Sequence, residues 1–242
     1  MKTLKTIIFF CLPFLIISCS NQASDEKKQE ETKTTQAPGM MPGTDAFKPG
    51  TANADEDSQW TFTKAATLIG LGNYEEALPH INKYIEKNPQ DGNGYFVRGY
   101  IFEMQQRYAD ALPEFKEALR LNAAHTYARM YKGEAHMYLK QYPEAFESFT
   151  RVIQLEPKNM YAYYNRGIVL SYLNKYKESV ADFDVALAID SVYAPALNNR
   201  GNAKYLLGDL EGACNDWRKS MKLGNVASEK AFQHYCQGKT GK

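Results

Sequence analysis

A period of 34 residues constrains this chain more than any other feature of its sequence. Tyr74, Tyr108, Tyr142 and Tyr176 stand 34 residues apart, and Leu210 takes the fifth place. Three residues after each comes a small side chain: Ala77, Ala111, Ala145, Ser179 and Ala213. Four residues beyond those comes a bulky one: Ile81, Phe115, Phe149, Phe183 and Trp217. Residues four apart share a helix face, so every period contains a helix presenting the same small-then-bulky stripe. Units of this length stack on one another, which restricts the chain to a one-dimensional array.

These residues resemble the tetratricopeptide repeat (TPR) pattern, in which each unit is a helical hairpin. With the Tyr as position 17, the units run 58–91, 92–125, 126–159, 160–193 and 194–227. Position 8 reads Ala65, Gly99, Gly133, Gly167 and Gly201, small residues suited to the point where a hairpin's two helices cross closely. Position 32, in the linking turn, reads Pro89, Ala123, Pro157, Ser191 and Asn225. Pro79 and Pro113 fall early in second helices and are expected to bend or shorten them. The resemblance implies an all-α fold: a right-handed superhelical solenoid of about five hairpins plus a C-terminal capping helix. Residues 228–242 hold that helix and a tail, with Ala231, Phe232 and Tyr235 as the stripe that would cover the end of the stack.

The N-terminal segment has a different character. Lys2 and Lys5 precede an apolar run from Ile7 to Ile17, the layout of a secretory signal peptide and too short to span a membrane. Ile16-Ile17-Ser18-Cys19 resembles the bacterial lipobox. That resemblance implies removal of residues 1–18, lipidation of Cys19 and a lipid anchor in the cell envelope. Ser20 follows where an inner-membrane retention signal would have Asp, which points to the outer membrane and leaves the periplasmic and surface faces open. Residues 19–57, polar and rich in Pro-Gly pairs, read as the lipidated Cys and a disordered tether, with Met40, Met41 and Phe47 its candidate docking residues.

Charge removes one class of partner. The 242 residues carry 29 Lys+Arg against 28 Asp+Glu, no basic excess for displacing phosphate counterions, so no nucleic acid partner is expected. Within residues 20–57 there are 4 Lys against 8 Asp+Glu, so an acidic tether offsets a mildly basic solenoid.

Going by the TPR family, positions 2, 5, 9 and 12 of the first helices line a concave groove. In this chain position 5 gives Phe62, Phe96, Met130, Tyr164 and Asn198. Position 2 gives Tyr127 and Tyr161, and position 9 gives Tyr100, Glu134 and Asn202. Tyr131, at the adjacent position 6, and Tyr138 and Tyr172, at position 13, add further rings. Such a groove is aromatic in the middle and Asn-rich toward its C-terminal end, and suits an extended peptide or a partner helix. The same rings could instead pack between hairpins, or stack on sugars in a carbohydrate-binding envelope protein. Position 7 forms a basic ladder of Lys64, Arg98, Lys132, Arg166 and Arg200, with Glu114, Asp182 and Asp216 at position 23 as internal partners. An acidic ligand is the other reading of that ladder. The position normally faces the partner helix, which favours internal pairing.

No catalytic constellation, metal set or cofactor motif is found, so the chain is not expected to be an enzyme. His80, His125, His136 and His234 fall at unrelated places in the repeat. Gly238-Lys239-Thr240 lacks the upstream Gly and following helix of a phosphate loop. After processing, Cys214 and Cys236 are the remaining unmodified thiols. They either form a disulfide pinning the cap to the stack or stay as two buried thiols. The reading as a whole is an exported, lipid-anchored scaffold that binds protein or peptide partners.

Overall fold

The computed structural model describes residues 47–50 and 55–237, within one compact unit, Thr34–Lys242. Cys19, the signal-like segment and the Met40-Met41 pair lie outside the described residues. Among the described residues there are eleven helices and no strand. Helices α1 (Glu56–Gly70) and α2 (Tyr74–Lys87) form the first hairpin, and α3 (Gly92–Met104) and α4 (Tyr108–Leu121) the second. The third is α5 (Thr126–Tyr138) and α6 (Tyr142–Leu155), and the fourth α7 (Met160–Tyr172) and α8 (Tyr176–Ile189). Helices α9 (Ala194–Leu206) and α10 (Leu210–Lys222) complete the array, followed by α11 (Val226–Tyr235).

Local chemistry fixes where these helices begin and end. Asp55, Asp91, Asn159 and Asn225 each cap a helix by accepting a backbone N–H from its first turn. His125 does the same for α5, its Nδ1 accepting from the Ala128 N–H at 3.2 Å. Burial lowers the His125 pKa and so favours the neutral ring, which can offer one nitrogen as an acceptor. At position 15 of every unit the chain leaves the first helix through positive φ: 78° at Gly72, 59° at Gln106, Lys140 and Asn174, and 86° at Gly208.

The hairpins are held by a close approach that the repeat pattern anticipates. A Cβ added at Gly99, Gly133, Gly167 or Gly201 would lie 2.7–2.8 Å from the ring of Phe115, Phe149, Phe183 or Trp217. Each ring therefore rests on bare backbone of the facing helix. The first unit solves the same problem with a different pair, Ala65 and Ile81, both fully buried. Pro79 and Pro113 do not shorten their helices: α2 and α4 keep 14 residues, as α6 and α8 do. Burial of Ala77 and Ile81 in α2, and of Ala111 and Phe115 in α4, outweighs the loss of one backbone hydrogen bond.

Two boundaries differ from the sequence expectation. Helix α1 starts at Glu56, ahead of Ser58, because Asp55 caps it and Asp57 pairs with Lys83 and Lys87 at 3.0 and 2.6 Å. The last residues assigned to the tether thus belong to the first hairpin. Helix α11 starts at Val226, because positive φ at Gly224 turns the chain early and Asn225 becomes the cap.

First helices of neighbouring units touch one another, whereas second helices make no comparable contact, so the first helices line the inner side of the curved array. Ring stacks tie the middle units together: Tyr108 on Tyr138 at 4.3 Å, and Tyr142 on Tyr172 at 4.8 Å. The periodic Tyr at position 17 thereby grips position 13 of the following unit. At the C-terminal end a disulfide joins Cys214 of α10 to Cys236, at the end of α11. The Tyr235 ring packs against Tyr205 and Trp217, with centroids 4.6 and 5.7 Å apart. Among the described residues no helix is long and apolar enough to cross a membrane.

Candidate functional site

The inner side is far more closed than a groove of open rings. Phe62, Phe96 and Met130 are fully buried, and Tyr100, Tyr131 and Tyr164 are at most 2% exposed. The rings interlock, with Tyr100 of α3 edge-on to Tyr131 of α5 at 5.2 Å and Tyr164 of α7 edge-on to Tyr193, the cap residue of α9, at 5.1 Å. These residues are packing between units, not a surface that a partner touches. Asn198 and Asn202 are corrected in the same way. Ser228 donates to the Asn198 carbonyl oxygen at 2.7 Å, and Trp217 Nε1 donates to that of Asn202 at 2.9 Å. Buried amides need internal partners, and here they join α9 to α11 and α10. Of the expected groove residues at positions 2, 5 and 9, Tyr127 and Tyr161 stay half-exposed, both at position 2, while the position 13 rings Tyr138 and Tyr172 are exposed at 37%.

What occupies the second unit's share of this face is the chain itself. Phe47 packs on Tyr100 and Phe96, with ring centroids 5.3 and 6.3 Å apart. Asn93 Nδ2 donates to the Lys48 carbonyl at 2.8 Å, and the Gly50 N–H donates to the Asp91 carboxylate at 2.7 Å. Asn93, Phe96 and Tyr100 are positions 2, 5 and 9 of the second unit. Asp91 also accepts from the Tyr84 hydroxyl and the Asn93 N–H, so one buried carboxylate organises helix cap, core ring and incoming segment. A Cβ at Gly50 would collide with that carboxylate, which explains a glycine there. Phe47, expected in a disordered tether, is therefore docked. Its signal was present in the sequence: one aromatic in a polar stretch, two residues before Pro49-Gly50.

Behind this edge the floor is polar but poorly suited to charge. Burial raises the Glu103 pKa well above the usual carboxylate range, and the neighbouring Glu134 raises it further. Burial also raises that of Glu134, against the hydrogen bond it accepts from Asn165 Nδ2 at 2.9 Å. Asn199 Nδ2 donates to the Tyr164 hydroxyl at 3.1 Å. These groups supply dipoles to the inner face and hold neighbouring units in register. Among the described residues no three His, Cys, Asp or Glu side chains converge as metal ligands.

The position 7 ladder is mostly paired internally. Arg98 meets Glu114 at 2.8 Å; Arg166 grips Asp182 with two bonds of 2.7 and 2.8 Å. Arg200 holds Asp216 with bonds of 2.8 and 2.6 Å and reaches Asp184 at 2.6 Å. Lys64 and Lys132 lack this arrangement, because position 23 offers them His80 and Ser148.

The sequence profile of the tetratricopeptide repeat family matches residues 62–128, 105–159 and 130–194. The chain belongs to the tetratricopeptide repeat family. Solved structures agree with this TPR fold at low sequence identity. MamA (residues 41 to the end) from Desulfovibrio magneticus RS-1 superposes with a TM-score of 0.67 at 20% identity, over 70% of this chain and 96% of that one. YrrB, a TPR protein with an unusual peptide-binding site, gives 0.62 at 20% identity, over 70% and 88%. TTC0263, a thermophilic TPR protein of Thermus thermophilus, gives 0.58 at 17% identity, over 74% and 98%. No curated protein sequence matches the chain.

Proposed function

We propose that this TPR chain is an exported, lipid-anchored scaffold that holds an extended segment of a partner protein along the edge formed by Asn93, Tyr127 and Tyr161. The observation that carries this reading is the docked segment Phe47–Gly50. It packs an aromatic ring against the first-helix face, while its backbone is held by Asp91 and Asn93 at the start of α3. Tyr127 and Tyr161 repeat the Asn93 position in the next two units and are half-exposed. A partner strand continuing past Gly50, or displacing the segment, finds ring faces and polar tips there. Peptide binding by YrrB on a similar fold supports the same use of the array.

The carbohydrate reading needs open ring faces, and Phe96, Tyr100, Tyr131 and Tyr164 are buried. Export is supported by the lipobox-like Ile16-Ile17-Ser18-Cys19 and by the Cys214–Cys236 disulfide, which suits an oxidising compartment. The role is binding without catalysis. Radiolabelled palmitate incorporated into the chain but not into a Cys19→Ser variant is the expected outcome for the anchor; equal labelling would refute it.

For the groove, a labelled peptide covering residues 44–52 is titrated against the full chain and Phe47→Ala. The tethered copy competes at an effective concentration in the millimolar range. Binding to the variant is expected to be about tenfold tighter or more. Equal affinity for both chains, or none for either, rules the groove out. Photo-crosslinkers placed at Tyr127 and Tyr161 should then capture a partner more strongly in the Phe47→Ala background.

A further inference from the structure

The third unit breaks the charge ladder, and a cavity lies beside the break. In the second, fourth and fifth units the basic residue at position 7 is neutralised by the acid at position 23 of the same hairpin. In the third unit position 23 is Ser148, whose hydroxyl is already donated to the Glu144 carbonyl at 2.9 Å. Lys132 is left without that acid. Around it a crevice of about 410 Å³ lies between α4, α5 and α6, and Lys116, Arg129 and Arg151 join Lys132 in lining it. Glu144 and Glu147 also line it, so four basic side chains face two carboxylates, with His136 and Ser148 completing the wall.

The cations are only partly occupied. Arg129 gives one terminal nitrogen to the Ala123 carbonyl at 2.6 Å, while its Nε is buried without a partner. Arg151 donates to Gln154 at 2.8 Å. Burial, then Arg129 and Lys116, lower the Lys132 pKa, whereas Glu147 works in the opposite sense. Burial and Arg151 lower that of Arg129. Like charges converging on a half-buried crevice are unfavourable until a counter-charge enters, and binding it returns that energy to the complex.

We infer that this crevice is a site for a phosphate group, carried by inorganic phosphate or a small phosphorylated molecule. The excess of two positive charges suits a dianion. Arginine and lysine together give fork-shaped and point-like donors to its oxygens. The volume falls within the range of small-molecule pockets, so it admits more than the phosphate alone. The site is separate from the edge that holds Phe47–Gly50, and it stands or falls independently of that edge.

The test titrates the full chain with inorganic phosphate at constant ionic strength, using chloride as the control and calorimetry as the readout. Saturable binding is expected, with affinity at least about tenfold weaker in both Lys132→Gln and Ser148→Asp. Ser148→Asp installs the acid that the second, fourth and fifth units carry, so it should also raise the thermal midpoint without phosphate. Parallel titrations with glycerol 3-phosphate and with vesicles containing phosphatidic acid separate a soluble ester from a lipid headgroup, and tighter binding to either supports the site. Absence of saturable binding overturns the inference, as does binding unchanged in both variants. Should Ser148→Asp fail to fold, Lys132→Gln decides alone.

Discussion

Gly133→Ala tests whether the Gly–ring contact, and not helix propensity, governs position 8. On propensity alone the change stabilises α5 by about 1 kcal/mol, since Ala is the better helix former. The structure opposes this. The new Cβ would lie 2.7 Å from Phe149 Cε1 and 2.9 Å from Cζ, against about 3.5–4.0 Å for comfortable carbon contacts. The ring is fully buried, so either it or α6 must shift by close to an ångström. Overpacking of this kind costs about 1–3 kcal/mol, which leaves a net destabilisation of about 1 kcal/mol after the propensity gain. The decisive comparison is the double variant Gly133→Ala with Phe149→Ile, which installs the pair that the first unit uses at Ala65 and Ile81. Phe149→Ile alone leaves a void and should be destabilising. The double variant should lose less than the sum of the singles, with a coupling energy of about 1 kcal/mol or more. Urea unfolding followed by circular dichroism measures all four proteins. A stabilised single variant, or strict additivity, would refute the argument.

Two further outcomes follow from buried groups. Burial raises the Glu134 pKa from 4.5 to about 7, so the folded chain binds a proton that the unfolded chain releases near 4.5. Stability should therefore fall as pH rises from about 4.5 to about 7 and then level off, by at most about 3 kcal/mol from this residue. In Glu134→Gln the slope should be flatter, the remainder coming from Glu103, and an unchanged profile from urea midpoints across pH 4–8 would refute the assignment. The disulfide spans 22 residues, and removing it by Cys214→Ser with Cys236→Ser should cost about 3 kcal/mol in the unfolded-chain entropy account. Hydrogen exchange should then show α11 losing protection while α5–α8 keep theirs.

The array was legible because each unit repeats the same physical solution. Tyr at 17, small at 8 and 20, and bulky at 24 recur with few substitutions, so the period, hairpin count and crossing points could be read directly. The groove was less legible. Family positions indicate which side of a helix faces inward, but not how closely the neighbouring unit approaches. Tyr131 and Tyr164 project toward the inner side and are covered by Tyr100 of the preceding unit and by Tyr193, the residue that leads into α9. Asn198 looked like a recognition residue, yet its partner is Ser228 of the cap, 30 residues away and invisible to any local pattern. The exits from first helices were concealed for another reason. Gln106, Lys140 and Asn174 adopt the left-handed conformation where Gly72 and Gly208 would have announced it. Conversely, the ladder of Arg and acid was readable in advance because both partners obey the repeat, and its interruption at Ser148 was readable for the same reason.

The stacked tyrosines have a mechanical consequence. They occur where the second unit meets the third and where the third meets the fourth. At the outer junctions the equivalent pairs are Tyr74 with Met104 and Tyr176 with Leu206. In a linear array, stability is the sum of unit terms and nearest-neighbour terms, so uneven junctions make an uneven zipper. The central three units should open last and the flanking units first. A partner bound across Tyr127 and Tyr161 then grips the part of the array that persists. One reaching over either end must also supply the energy of closing that end, so its apparent affinity will carry the temperature dependence of local unfolding.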